Sequence, residues 1–267
     1  MIPAALTATG LAASFRSLGL QAGDRVVVHS SLRAMGVIEG GAAVAVAALL
    51  EVVGPGGLVV APTFTYSTPA FDPGVTPGRS GALGEALRRR PEAVRSLHPF
   101  YSVAAAGAGA GELCEGDHLL AAASAGSPLD RLAAAGGLVL LLGVGHTSNT
   151  TVHVGEFHAQ APYLDIPFDP GWPAQAEISD RGELLHVSYE LFPGCSRAFG
   201  ALELPLRERG AIRDGRVGRS FAQLVPGSAV IEETVALLAS GAAALLCTDP
   251  HCYRCSLARE RPGARLD

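Results

Sequence analysis

Imidazole, carboxylate and hydroxyl groups crowd into one stretch of this chain, Val139 to His158, VLLLGVGHTSNTTVHVGEFH. His146, His153 and His158 can titrate near neutrality, and Glu156 is the carboxylate among them. Thr147, Ser148, Asn149, Thr150 and Thr151 add hydrogen-bonding groups. Proton transfer to and from a reacting group is the chemistry that such a set performs. If the segment from Asn149 onward is helical, Asn149, His153 and Glu156 share one side, because residues three and four apart are neighbours there. The bland alternative is a solvated helix face. Against it, the polar groups begin where the apolar run Leu138–Leu142 ends. A second constellation lies near the C-terminus, where Cys247, Cys252 and Cys255 give C-x4-C-x2-C beside His251. Thiolates at this spacing form the usual half of a structural zinc site, and Cys195 in PGCSR is the candidate fourth ligand. The competing reading is three reduced cysteines in a surface tail.

The elements around these groups follow a repeated order. Thr7 to Leu18 has Leu11, Phe15 and Leu18 at helical spacing and Gly19 at its end. Val26–His29 reads as a short buried strand that runs directly into Ser30 and Ser31. Ala42–Val53 reads as a helix, Gly54–Gly57 as a turn, and Leu58–Ala61 as a strand ending in Pro62-Thr63-Phe64-Thr65-Tyr66. The run 138–142 is a strand buried on both faces, closed by the turn Gly143-Val144-Gly145. Strand, polar or glycine turn, helix is the grammar of β-α-β units with right-handed crossovers. Three such strand ends carry polar groups, which is where α/β proteins bind ligands. Between them lies a Pro/Gly-rich loop, 67–80, long enough for a binding role. Gly81–Arg89 reads as a helix, 95–107 as a strand entered through the His98-Pro99 bend, and Pro128 opens a helix after Ser127. Beyond residue 160 the texture becomes Pro/Asp/aromatic rich. Arg181-Gly182 reads as a turn between strands 175–180 and 183–190, and 220–227 and 229–239 read as helical. The expectation is one α/β domain over 1–267 with a mainly parallel central sheet flanked by helices. An inserted antiparallel β-rich segment lies at about 160–195, and a cysteine-bearing tail at 245–258.

Composition narrows the function. A net charge of −5 argues against a general nucleic-acid binder, and 48% apolar with 17% charged residues argues against disorder. No apolar run reaches the ~20 residues of a membrane-spanning helix, and the N-terminus lacks a secretion signal, so a cytoplasmic protein is expected. Five cysteines, an odd number, fit metal or free thiols better than a disulfide framework. No GxGxxG or Walker-type loop stands at the strand ends, which argues against the usual nucleotide-phosphate clamps.

Four segments resemble, in order, the aminoglycoside 3-N-acetyltransferase family. They are VHSSLRAMGVIEGGAAVAVAALLEVVGPGGLVVAPTFTYS (28–67), TPGRSGALGEALRRRPEAVRSLHPFYSVAAAG (76–107), GSPLDRLAAAGGLVLLLGVGHTSNTTVHVGE (126–156) and VSYELFPGCS (187–196). The resemblance implies an α/β fold bracketing a cleft, acetyl-coenzyme A as co-substrate, and a small-molecule amine as acceptor. It implies His153 as general base and Glu190, in VSYELF, as its acidic partner. Ser30, Ser31 and Leu32 match the loop that lines the coenzyme A cleft, and Ser102 and Val103 match the strand that meets the pantetheine arm. The chemistry agrees: an amine must lose its proton as it attacks a thioester, and a carboxylate fixes the tautomer of the base. Hydroxyls such as Thr150 or Thr151, with backbone N–H groups, would serve the oxyanion. Glu156 is a further candidate for positioning His153, and His146, Asn149 and Tyr66 are candidate substrate contacts. His29 is as readily a strand-end structural residue, and His98 reads as a turn stabiliser. His158 reads as a solvent-facing residue, and Cys114 as an inert thiol.

Two departures bear on the acceptor. The loop STPAFDPGVTPGRSG (67–81) is shorter than the acidic, aromatic loop of aminoglycoside modifiers, and GHTSNT (145–150) stands where they carry an apolar stretch. The alternatives are an acyltransferase acting on a biosynthetic amine and a catalytically inactive coenzyme A-binding protein, with a metallohydrolase using His146, His153 and Glu156 more distant. A homodimer is compatible with all of them.

Overall fold

The computed structural model describes residues 5–66 and 68–261. The start of the N-terminal stretch, Ser67 at the head of the loop, and the end of the tail lie outside the described residues. In chain order the elements are α1 (Ala8–Leu18), β1 (Arg25–Ser30), α2 (Leu32–Met35), α3 (Gly41–Val53), β2 (Leu58–Pro62), β3 (Ala70–Phe71) and α4 (Ala82–Arg88). There follow β4 (Val94–Arg95), β5 (Val103–Gly107), α5 (Ala110–Cys114), α6 (Pro128–Ala134), β6 (Leu138–Leu142) and α7 (Thr151–His158). The last are β7 (Gln175–Asp180), β8 (Glu183–Ser188), α8 (Glu203–Glu208), β9 (Arg213–Val217), β10 (Ser220–Pro226), α9 (Gly227–Ser240) and α10 (Tyr253–Arg259).

Seven strands form the central sheet in the order β4-β5-β2-β1-β6-β10-β9. Its centre, β2-β1-β6, is parallel, and β5 and β10 join it antiparallel on either side. Tracing the pairings outward leaves only β5 and β10 reversed, so five strands run one way. Alternation along the strands divides the core in two. Val26, Val28, Val59, Ala61, Leu140 and Leu142 pack with α1, α3 and α4 on one face. Val27, Leu58, Val60, Val139 and Leu141 pack with residues of α6, α7, α9 and α10 on the other. Both faces are thus covered, as a parallel sheet requires. A smaller sheet, β3-β7-β8, stands apart, with Arg181 and Gly182 both at positive φ in the β7–β8 turn. This is the backbone that a two-residue hairpin demands.

Local signals hold at α1, where the Thr7 hydroxyl accepts from Gly10 N–H at 3.1 Å and Gly19 closes the helix at φ 108°. The structure corrects two expectations. Residues 220–226 are strand β10, not helix. Ala222 and Leu224 point into the core and pair with Leu142 and Leu140, so a two-residue alternation between Phe221 and Val225 prevails. The strand expected over 95–107 is interrupted, because His98 Nδ1 accepts from the N–H groups of Phe100 (3.2 Å) and Tyr101 (3.1 Å) and holds a turn there. In the cysteine-bearing tail, Tyr253–Arg259 is helical and Cys255 is fully buried. Among the described residues no helix is long and apolar enough to cross a membrane.

Candidate active site

A cleft of about 450 Å³ opens at the C-terminal ends of the parallel strands. His29 and Ser30 enter it from β1, Pro62, Phe64 and Tyr66 from the end of β2 and beyond, and Val144 from the turn after β6. The α7 side supplies Thr147, Ser148, Asn149, Thr150 and His153. The backbone can turn this sharply after β6 because Gly143 sits at φ 65°, where an added Cβ would lie 2.8 Å from that of Ala34. Helix α7 begins at Thr151, two residues later than expected. A 3-10 turn, His146–Ser148, precedes it, and Asn149 Oδ1 accepts from Thr151 N–H at 3.1 Å. Asn149 therefore secures the entry to α7 rather than lying on its face.

His153 is 6% exposed, faces the cleft, and lies edge-on to Phe199 at 4.8 Å between ring centroids. Its Nδ1 is 2.6 Å from Glu156 Oε2 and 3.3 Å from the amide nitrogen of Gly194. One nitrogen cannot donate to the first and accept from the second. The short contact to a carboxylate decides: Nδ1 carries the proton and donates it to Glu156, leaving the Nε2 lone pair free. Glu156 is itself buried, and its Oε1 accepts from the Tyr163 hydroxyl at 3.0 Å. That bond and burial raise the Tyr163 pKa well above the usual phenol range, with burial the larger cause. Imidazole, carboxylate and phenol form a connected network in the core, and of the three only the imidazole lines the cleft.

The acidic partner expected at Glu190 is elsewhere. Glu190 is exposed just beyond β8, and the carboxylate bonded to His153 is Glu156, placed by its i,i+3 spacing on the same helix. Ser30 lines the cleft as expected, whereas Ser31 caps α2 and donates its N–H to Leu142 O, and neither it nor Leu32 lines the cleft. Ser102 and Val103 are buried away from it. The Ser102 hydroxyl bonds the Thr63 carbonyl at 3.0 Å and accepts from Arg95 Nε at 3.1 Å, tying β2 to β5. His146 is also outside the cleft, with Nδ1 3.2 Å from Asn149 Nδ2 and Nε2 3.6 Å from Glu203, too far for a hydrogen bond. Burial lowers its pKa against the opposing pull of Glu203. Thr150, Asn149 and Tyr66 do line the cleft, and Tyr66 does so from a backbone at φ 66°, rare for a bulky residue.

Several cleft residues carried no local signal. Tyr101, Phe168 and Trp172 complete an aromatic wall with Phe64 and Tyr66, Phe64 and Tyr101 being 4.7 Å apart. Gly194 and Ser196 close the floor. Only the aromatic richness after residue 160 pointed toward the wall. His29, buried with Nε2 unpartnered, has its pKa lowered to about 3, first by burial and then by His146. His98 stacks on Tyr189 at 4.6 Å, His158 pairs with Asp130 at 2.8 Å, and burial raises the Cys114 thiol to about 12. Cys195, Cys247, Cys252 and Cys255 meet with their sulfurs all within 4.8 Å of one another.

Comparison with known proteins gives the architecture a relationship. The aminoglycoside 3-N-acetyltransferase family model matches residues 27–239. Aminoglycoside N(3)-acetyltransferase IV of a Salmonella species is 35% identical over 212 residues, 78% of each chain. Among solved structures, a histidine-to-alanine mutant of aminoglycoside acetyltransferase AAC(3)-IVa in complex with a gentamicin superposes at a TM-score of 0.86 with 30% identity, covering 97% of this chain and 98% of that one. AAC-IIIb in a binary complex with CoASH superposes at 0.79 with 28% identity, covering 88% and 97%. The chain belongs to the aminoglycoside 3-N-acetyltransferase family of acyl-transferring enzymes.

Proposed function

We propose that this enzyme transfers the acetyl group of acetyl-coenzyme A directly to an amino group of an aminoglycoside or a similar small amine. The observation that carries the proposal is the buried Glu156–His153 pair, which presents an unprotonated Nε2 to a cleft. The amine nitrogen attacks the thioester carbonyl carbon while Nε2 takes the proton that the nitrogen loses. The C–N bond forms, the C–S bond breaks, and the departing thiolate takes up the proton from the imidazolium. Glu156 supports the transient cation, as an orienting carboxylate does in other His-based sites. The Thr150 hydroxyl, beside His153 in the cleft, is the assigned donor to the oxyanion. Ser30 and the neighbouring β1 end would line the coenzyme A side, where the relative AAC-IIIb is seen with CoASH. The aromatic wall suits an acceptor that presents cationic amines and sugar faces.

One feature favours a second acceptor class. Among the described residues none that lines the cleft is Asp or Glu, although a polycationic drug is usually met by carboxylates. A less charged, biosynthetic amine is therefore kept as the second reading. A panel of aminoglycosides and simpler amines separates the two, since the better substrate class shows the higher kcat/KM. Two further assignments complete the proposal. The four cysteines hold a structural zinc ion, and the use of cysteine as unbridged thiols fits the reducing cytoplasm.

A further inference from the structure

We infer that the zinc ion held by Cys195, Cys247, Cys252 and Cys255 is a clasp that fixes Arg254 beneath the Glu156–His153 pair, linking metal occupancy to the geometry of the base. The inference rests on the reading of His153 as base and Glu156 as its orienting acid.

The metal geometry comes first. Zn–S bonds of about 2.3 Å in a tetrahedron place the sulfurs about 3.8 Å apart. Cys195 and Cys247 are 3.8 Å apart, and all four sulfurs fall within 4.8 Å of one another in a buried cluster. Two ligands flank Arg254 in sequence, Cys252 as the cap of α10 and Cys255 in its first turn. The fourth, Cys195, directly follows Gly194, which lines the cleft. A zinc tetrathiolate carries two negative charges, and arginines stand next to its ligands: Arg259 donates to the carbonyl of Cys247, Arg254 adjoins Cys255, and Arg197, paired with Asp249, lies two residues after Cys195. An all-cysteine site has no open coordination position, so its task is structural.

What the clasp positions is the second observation. Arg254 is 1% exposed and is the one arginine among the described residues that is buried. Its Nη2 donates to the Phe192 carbonyl at 2.9 Å, and its guanidinium carbon lies 5.6 Å from the Tyr163 ring centroid. Its Nε lies 3.0 Å from where a Cβ on Gly194 would stand, while Nε and Nη1 have no hydrogen-bond partner. Tyr163 donates to Glu156, so guanidinium, phenol, carboxylate and imidazole succeed one another toward the cleft. A buried carboxylate needs a countercharge, and Arg254 is the buried cation on that side. Helix α10 has only seven residues, too few to be stable without tertiary ties. The metal supplies the tie.

The test uses the whole chain produced in zinc medium and, separately, in cobalt medium. Elemental analysis is expected to give one zinc per chain, released only as four thiols are titrated. The cobalt form is expected to show the thiolate charge-transfer and tetrahedral d–d bands of an all-sulfur site. Proton NMR then follows the His153 Nδ1–H resonance, assigned by its absence in His153→Ala. It is expected at low field in the zinc form, lost on stripping the metal with a mercurial thiol reagent and restored by thiol and zinc. It is likewise lost in Arg254→Met and kept in Arg254→Lys. Reversible stripping of the native chain keeps the test valid where Cys252→Ser fails to fold. Five freely titrating thiols in a folded, metal-free native protein would overturn the site. Stoichiometric zinc with an unmoved resonance in both the stripped form and Arg254→Met would overturn the linkage. Absence of acetyl transfer by the native enzyme would strike the acetyltransferase reading alone, since neither readout depends on turnover.

Discussion

The carboxylate of Glu156 holds Nδ1 of His153 and so decides which nitrogen is left for the cleft, which makes its charge matter more than its volume. Glu156→Gln keeps the shape but removes the charge that holds the proton on Nδ1. We expect kcat to fall about 10²- to 10⁴-fold with donor KM within about threefold, as for other base-orienting carboxylates. Glu190→Gln, altering an exposed side chain, should leave kcat within about twofold. Steady-state kinetics on the two variants reads both outcomes, and the reverse ranking would return the role to Glu190. That His153 and Glu156 share one side of a helix was legible from their i,i+3 spacing, whereas the role of base came from the family resemblance, and Thr150 and Asn149 were legible from their place after a buried strand. Ser102 and Val103 were misplaced because a resemblance matches positions along a chain and does not show which way a side chain turns at a strand end. Phe168 and Trp172 escaped because they reach the cleft from irregular segments, which have no periodicity to read.

Helix α7 carries His153, the proposed base, and its seat on α9 sets where that side chain points. An added Cβ on Gly155 would lie 2.4 Å from Thr234 Cβ, so the two helices meet at a glycine. Gly155→Ala is expected to cost about 1–3 kcal/mol through overpacking and to displace His153. The measurable result is a lower Tm together with reduced kcat; an unchanged Tm would show that the contact yields. The loop before the second sheet carries Phe168 and Trp172 into the cleft, and both precede β7. Trp172→Ala should raise acceptor KM about tenfold while donor KM stays level, reflecting loss of an aromatic face; equal rises for both substrates would contradict this placement. At this scale the sequence was most readable where local and tertiary forces agree, as in α1, β1, α3, β2 and β6. Its failure at β10 has a physical cause: pairing with β6 overrides the local preference of Ser220–Pro226, and such pairing is invisible within a window of a few residues.

Across the whole molecule, buried titratable groups set the response to acid. His29 and His98 are neutral in the folded chain, with pKa values lowered to about 3 chiefly by burial. Above the ordinary 6.5 both folded and unfolded states are neutral, and below it the unfolded chain binds protons that the folded one refuses. Each histidine thus removes stability as pH falls from 6.5 toward 3. Asp117, 2.5 Å from the Ser96 hydroxyl, has its pKa raised by burial to about 7, so over 3.8 to 7 the folded state binds the extra proton and stability falls as pH rises. Two histidines outweigh one carboxyl, so Tm should decline below about pH 6.5, with a shallower slope in His98→Gln; a flat native profile from pH 6.5 to 4.5 would contradict this. The direct measurement is release of free thiol from acetyl-coenzyme A across a panel of aminoglycosides and simpler amines, with the native enzyme beside His153→Ala. The account predicts turnover with at least one amine that vanishes in the variant while coenzyme A still binds. Full activity in His153→Ala, or no thiol release from the native enzyme with any amine, would contradict it.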